Sequence, residues 1–149
     1  MHKEEFMVNN VILSIHPQYA QQIEVGNKIY EVRTRKINLE KGTRIWIYKT
    51  LPEACIDSFA EIDDVLLISP QLAWKKYSSQ MCISKAIYNS YVQNKKEICL
   101  LKLKNVKKTN KKITLKELRK KIPPFFPPQF FKKLNPNEEI LQALENLLK

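Results

Sequence analysis

Hydrophobic positions along the chain follow two periods, and the switches between them mark the elements. NNVILSIH, residues 9–16, is a short apolar run rich in β-branched residues that stops at Pro17, the pattern of a buried strand. Pro17 suits the first turn of a helix, and Tyr19, Ala20 and Ile23 then fall at helical spacing. Gly26 closes that helix, because the position after a helix end often needs a positive φ. Strands are predicted at about 29–35 and over TRIWIYKT, 43–50, with a turn from Asn38 to Gly42 between them. In the second of these Ile45 and Ile47 alternate with Trp46 and Tyr48, so one pair is expected to face the core.

ACIDSFAEIDDVLLI, 54–68, reads as a long strand with a bulge or bend near Asp63 and Asp64. Ser69 and Pro70 open a short helix bearing Leu72, Ala73 and Trp74, and a second helix at about 82–92 carries Ile83, Ala86, Ile87 and Tyr91 on one face. EICLLKLKNV, 97–106, alternates as a strand, and Thr114 to Lys121 forms a helical turn or two stopped by Pro123 and Pro124. PPFFPPQFF, 123–131, cannot be regular helix or central strand, and is expected to run extended and pin its phenylalanines into the core. Asn135 and Pro136 are expected to start a C-terminal helix with the stripe Ile140, Leu141, Leu144, Leu147 and Leu148. Runs of strands with inserted helices point to an α+β fold built on a small β-barrel, not to an alternating parallel sheet.

At 149 residues with 44% hydrophobic content, the chain is expected to form one domain, 1–149. Its barrel core would span about 10–107, followed by a basic, Pro/Phe-rich closing segment and the C-terminal helix over 108–149. No run approaches the roughly 18 apolar residues of a membrane span. MHKEEFMVNN lacks the apolar stretch of a signal peptide, so a cytoplasmic protein is expected, with no membrane partner. Cys55, Cys82 and Cys99 are isolated and suit reduced core positions. His2 and His16 sit at no ligand spacing from a cysteine, so neither metal nor cofactor is expected. The two glycines, Gly26 and Gly42, both punctuate element ends, and no phosphate-cradling GxGxxG or GxxxxGK loop is present.

Charge changes the picture. The net charge is +11, and 12 of the 26 basic residues but one of the 15 acidic ones fall between Lys102 and Lys133, leaving 14 of each elsewhere. A localised basic stripe is the footprint of a polyanion binder, and Lys107, Lys108, Lys111 and Lys112 are its densest part. Lysine accumulation by composition alone is the bland alternative.

GNKIYEVRTRK, 26–36, places Lys28, Glu31, Arg33 and Arg35 in one short segment. Together with LSIHPQYA (13–20) and GTRIWIY (42–48), it resembles the ASCH domains of the PUA-like superfamily, which share GxKxxExR after the first helix. Here the pattern is Gly26, Lys28, Glu31 and Arg33; the resemblance spans about 10–134, and PPFFPPQFF looks like the closing segment of a subgroup described as predicted transcriptional regulators. The resemblance implies a β-barrel with flanking helices and a cleft beside it used for RNA or modified bases. Lys28 and Arg33 would then hold a phosphate or a base edge, Glu31 would accept from a base amino group or orient them, and Tyr30, Trp46, Tyr48 or Trp74 would stack on an unpaired base. A solvated Glu31–Arg33 ion pair, worth ~0–1 kcal/mol, and aromatics in the core are the structural alternatives.

Three functions follow. The first is binding of RNA or another nucleic acid, a modified nucleotide included, in transcription or translation regulation. The second is hydrolysis. In relatives that cleave N4-acetylcytidine the lysine is paired with a threonine and a distant glutamate, but here Glu31 takes the threonine position and Ser79 or Gln80 the glutamate's. A ribonuclease would need only a base, an acid and a phosphate clamp. The third is a protein-interaction module using the C-terminal leucine stripe.

Overall fold

The computed structural model describes residues 9–149; His2 and most of the charged N-terminal stretch lie outside them. Six strands form one sheet: β1 Asn10–Ile15, β2 Tyr30–Arg33, β3 Arg44–Lys49, β4 Cys55–Ile68, β5 Ile98–Thr114 and β6 Phe131–Leu134. The helices are α1 Pro17–Glu24, α2 Pro70–Tyr77, α3 Lys85–Tyr91, α4 Leu115–Lys121 and α5 Glu139–Glu145. The strand order is β2-β5-β4-β3-β1-β6, with β1 and β3 parallel and every other pair antiparallel. β1 and β2 are not neighbours in that order, yet an Arg33 Nη2 donates to the Ser14 carbonyl at 3.0 Å. The sheet therefore curls into a half-barrel whose open seam runs between β1 and β2. Register shifts in the β4–β5 pair, one of them between Ile62 and Asp64 as expected, supply the bending.

Both faces of the sheet are covered. Inside the curl, Val11, Leu13, Ile45, Ile47 and Leu101 pack with Ala20 and Ile23 of α1. Outside it, Ile12, Trp46, Tyr48 and Ile56 meet Leu118 of α4 and Ile140 and Leu144 of α5, while Tyr30, Val32 and Leu100 meet Ala73 of α2 and Tyr88 of α3. So β3 is buried on both sides, not on one: Ile45 and Ile47 fill one cluster, Trp46 and Tyr48 another, and neither aromatic is a base platform. The C-terminal leucine stripe is spent on this internal packing.

Four segments differ from expectation. β5 continues through the lysines to Thr114, because pairing with β4 resumes at Ile113 and Thr114 after Lys107 and Lys108 and so extends the strand beyond the bulged 109–112; the anticipated boundary near 107 falls inside it. α3 buries Tyr88 and Val92 rather than the Ile83/Ala86/Ile87/Tyr91 face, and Ile87 and Tyr91 stay about half exposed at 51% and 45%. Of the phenylalanines at 125–131 only Phe125 is buried; Phe126 and Phe130 are exposed, and Phe131 joins edge strand β6, which is held to β1. The last helix starts at Glu139 behind Glu138, whose carboxylate accepts from the Asn135 backbone N–H; Asn135 is not its cap.

Candidate nucleic-acid interface

β2 alternates, so Tyr30 and Val32 face the outer core while Glu31 and Arg33 turn toward the seam. Lys28 enters from the turn before β2. It is only 4% exposed; its ammonium donates to the Met81 carbonyl at 2.5 Å, lies 3.6 Å from Glu31 Oε1 and sits 5.1 Å from the Tyr19 ring centre. The other Glu31 oxygen accepts from Arg33. Glu31 is 7% exposed, so this is a buried ion triad and not a solvated surface pair. Burial pushes the Lys28 ammonium below the ordinary lysine range, with Glu31 pulling the other way. Arg33 Nε has no hydrogen-bond partner among the described residues.

The triad lines a cleft of about 420 Å³ at the seam, within the size range of small-ligand sites. Ser14, His16 and Thr50 form its polar rim, and Tyr19, Ile87, Tyr91 and Phe130 its apolar walls. His16 Nδ1 lies 3.4 Å from the Thr50 hydroxyl. Apolar flat walls over a charged floor suit a heteroaromatic ring carrying polar edges and an anionic substituent.

Lys28, Glu31 and Arg33 thus come together, and Arg35 stands beside them with its guanidinium 4.5 Å from the Phe130 ring centre. Tyr30 does not join them. It is 5% exposed and packs on Tyr77 at 4.5 Å, on the opposite face of β2. Trp74 packs on Tyr88 at 4.8 Å and likewise lies outside the cleft. Ser79 and Gln80 occupy a 3-10 turn, and it is the next residue's carbonyl, not a carboxylate, that meets Lys28.

Lys107, Lys108, Lys111 and Lys112 lie on β5, and none of them lines the cleft. β5 takes five steps from Lys108 to Ile113 where β4 takes two from Ser58 to Ile56, so 109–112 bulge outward and present Lys111 and Lys112 to solvent. Lys108 is bound into a network: 2.6 Å from Asp57, which with Glu24 also holds Lys49 at 2.9 Å each. Burial works against the Lys49 ammonium, yet its bonds to Asp57 and Glu24 outweigh that and raise its pKa.

The walls formed by Tyr19, Ile87, Tyr91 and Phe130 were not assigned to a site by the sequence patterns. Their one signal was the apolar α3 face that buries nothing, which becomes meaningful only beside Phe130.

A family model described as a domain of unknown function (DUF365) matches residues 8–122. The chain is 26% identical over 118 residues to the ASCH domain-containing ribonuclease of Zymomonas mobilis, across 79% of each protein. The crystal structure of ASCH from Zymomonas mobilis matches with a TM-score of 0.85 at 26% identity, over 93% of this chain and 94% of that one. Human THYN1 in complex with 5-methylcytosine-containing DNA matches with a TM-score of 0.59 over 95% and 98%, at 13% identity, which is a likeness of fold. The chain belongs to the DUF365 family, and its half-barrel is an ASCH domain of PUA-like fold.

Proposed function

We propose that this protein binds nucleic acid, RNA foremost, by taking an unpaired base into the seam cleft. The buried Lys28–Glu31–Arg33 triad on the floor of an aromatic-walled, nucleoside-sized cleft carries this reading. The buried triad offers donors and an acceptor to a base edge, and its surplus positive charge favours an anion. Lys107, Lys111 and Lys112, exposed on β5, add attraction for phosphates at a distance. The likeness to a ribonuclease and to a protein crystallised with modified DNA supports the class of ligand. A cytoplasmic place, a modified base as ligand, a single-domain organisation and a role in transcription or translation regulation complete the proposal.

A second reading is favoured by one finding, the relative named a ribonuclease over 79% of this chain. Lys28 and Arg33, with the Tyr19 hydroxyl nearby, supply a phosphate clamp at the cleft floor.

Anisotropy titrations with single-stranded RNA, duplex RNA and duplex DNA, each followed by a denaturing gel, test both. Affinity for single strands is expected to exceed that for duplexes and to fall about tenfold or more over a few-fold rise in salt. Charge reversal at Lys107, Lys111 and Lys112 should weaken every ligand alike, whereas Arg33→Ala should change the order of preference. Equal losses in both variants contradict this division of labour, and shortened RNA on the gel favours the ribonuclease.

A further inference from the structure

Beside the cleft lies a second, smaller cavity of about 100 Å³. Arg33, Tyr91 and Phe130 line both, so they form the partition between a large compartment and a small one. Arg35, Lys36 and Ile37 contribute to the outer walls, and among the described residues no Asp or Glu lines the small compartment. Elsewhere the cations near acids are shared out: Lys28 and Arg33 to Glu31, Lys49 and Lys108 to Glu24 and Asp57, Lys102 and Lys104 to Asp63. Among the described residues Arg35 and Lys36 have no ion-pair partner; both are exposed and both line this half-open space. Arg35 lies over the Phe130 ring, 4.5 Å from its centre, which holds the guanidinium against the partition.

Size separates the two compartments further. The small one has room for about three waters, enough for a phosphate and too little for a base with its sugar. The large one, at about 420 Å³, suits a nucleoside. We propose that the small compartment is a phosphate seat, so that the site takes an unpaired nucleotide with its base and sugar in the cleft and an adjacent phosphate on Arg35 and Lys36. This rests on the proposed nucleic-acid function of the cleft, and makes the ligand a phosphorylated nucleotide instead of a free nucleoside or base.

The test is an NMR titration of the full chain with the four ribonucleosides and their 3′- and 5′-monophosphates, repeated on the Arg35→Gln/Lys36→Gln double variant. In the wild type one monophosphate isomer is expected to bind about tenfold more tightly than its nucleoside, with the added shifts at residues 34–37. In the double variant that ratio should fall to near one. Nucleosides that bind while phosphate adds nothing, or a ratio unchanged in the variant, overturn the phosphate seat and leave the cleft reading intact. No binding of any nucleoside or nucleotide overturns both. A short single-stranded RNA with one linkage neutralised as methylphosphonate separates the sources: a tenfold loss identifies a strand phosphate, and no loss rejects the strand form of the proposal.

Discussion

Trp46→Ala is expected to lower the free energy of unfolding by ~3–5 kcal/mol, the cost of emptying a large core site. Trp46 is fully buried, and its Nε1 donates to Asn10 Oδ1 at 2.9 Å, which ties β3 to the start of β1. Its ring packs on Phe59 at 5.3 Å, with the Arg44 guanidinium over Phe59 at 4.9 Å. Neighbours drawn from β1, β4 and the C-terminal helix cannot all collapse into the space an indole leaves. Urea denaturation reads the loss as a lower midpoint. Trp74→Ala, on a half-buried ring of α2, should cost less. Comparable costs for the two tryptophans would mean that the β3 core is not the centre of stability described above.

Glu31→Ala carries the second large effect, about 3 kcal/mol, for a different reason. The substitution leaves the buried Lys28 and Arg33 cations facing each other without their shared carboxylate, and only carbonyl partners remain: Met81 for Lys28 and Ser14 for Arg33. Removing Glu31 also removes the main influence that raises the Lys28 pKa, so that pKa falls further below its ordinary 10.5. The sign with pH follows. Between the lowered folded value and 10.5 the unfolded chain binds more protons, so stability rises with pH in that window. The deficit of Glu31→Ala should therefore be largest where Lys28 is protonated in both states and shrink in alkaline buffer. Chemical denaturation at neutral and alkaline pH measures it. A deficit that grows with pH would mean that Lys28 is not the group left exposed to burial.

Local chemistry made much of the fold legible. The Pro17 helix start, the Ser69–Pro70 opening of α2 and the turn at Gly42 all depend on a few adjacent residues, and α2 does begin behind Ser69. The GxKxxExR segment likewise pointed to three residues that line the candidate cleft, since Lys28, Glu31 and Arg33 are close in sequence. What stayed hidden is long-range. Pairing of Lys107, Lys108, Ile113 and Thr114 with β4, not the residue types of 107–112, carries β5 across that stretch, with 109–112 bulging between the paired positions. Tyr91 and Phe130 look like core residues until the curl of the sheet brings α3 and the segment before β6 to the β1–β2 seam. Tyr30 illustrates the reverse error: it sits inside the motif, yet the alternation of β2 sends it to the opposite face.

The central claim is that the seam cleft, and not the basic strand alone, receives nucleic acid. Backbone amide shift mapping of the full chain with a short single-stranded RNA at physiological salt tests it most directly. The expected result is a contiguous set of shifts at 14–19, 28–35, 87–91 and 129–130, with weaker ones along 104–112. Shifts confined to 102–121, with the cleft residues unmoved, would contradict the account and leave this protein a surface polyanion binder.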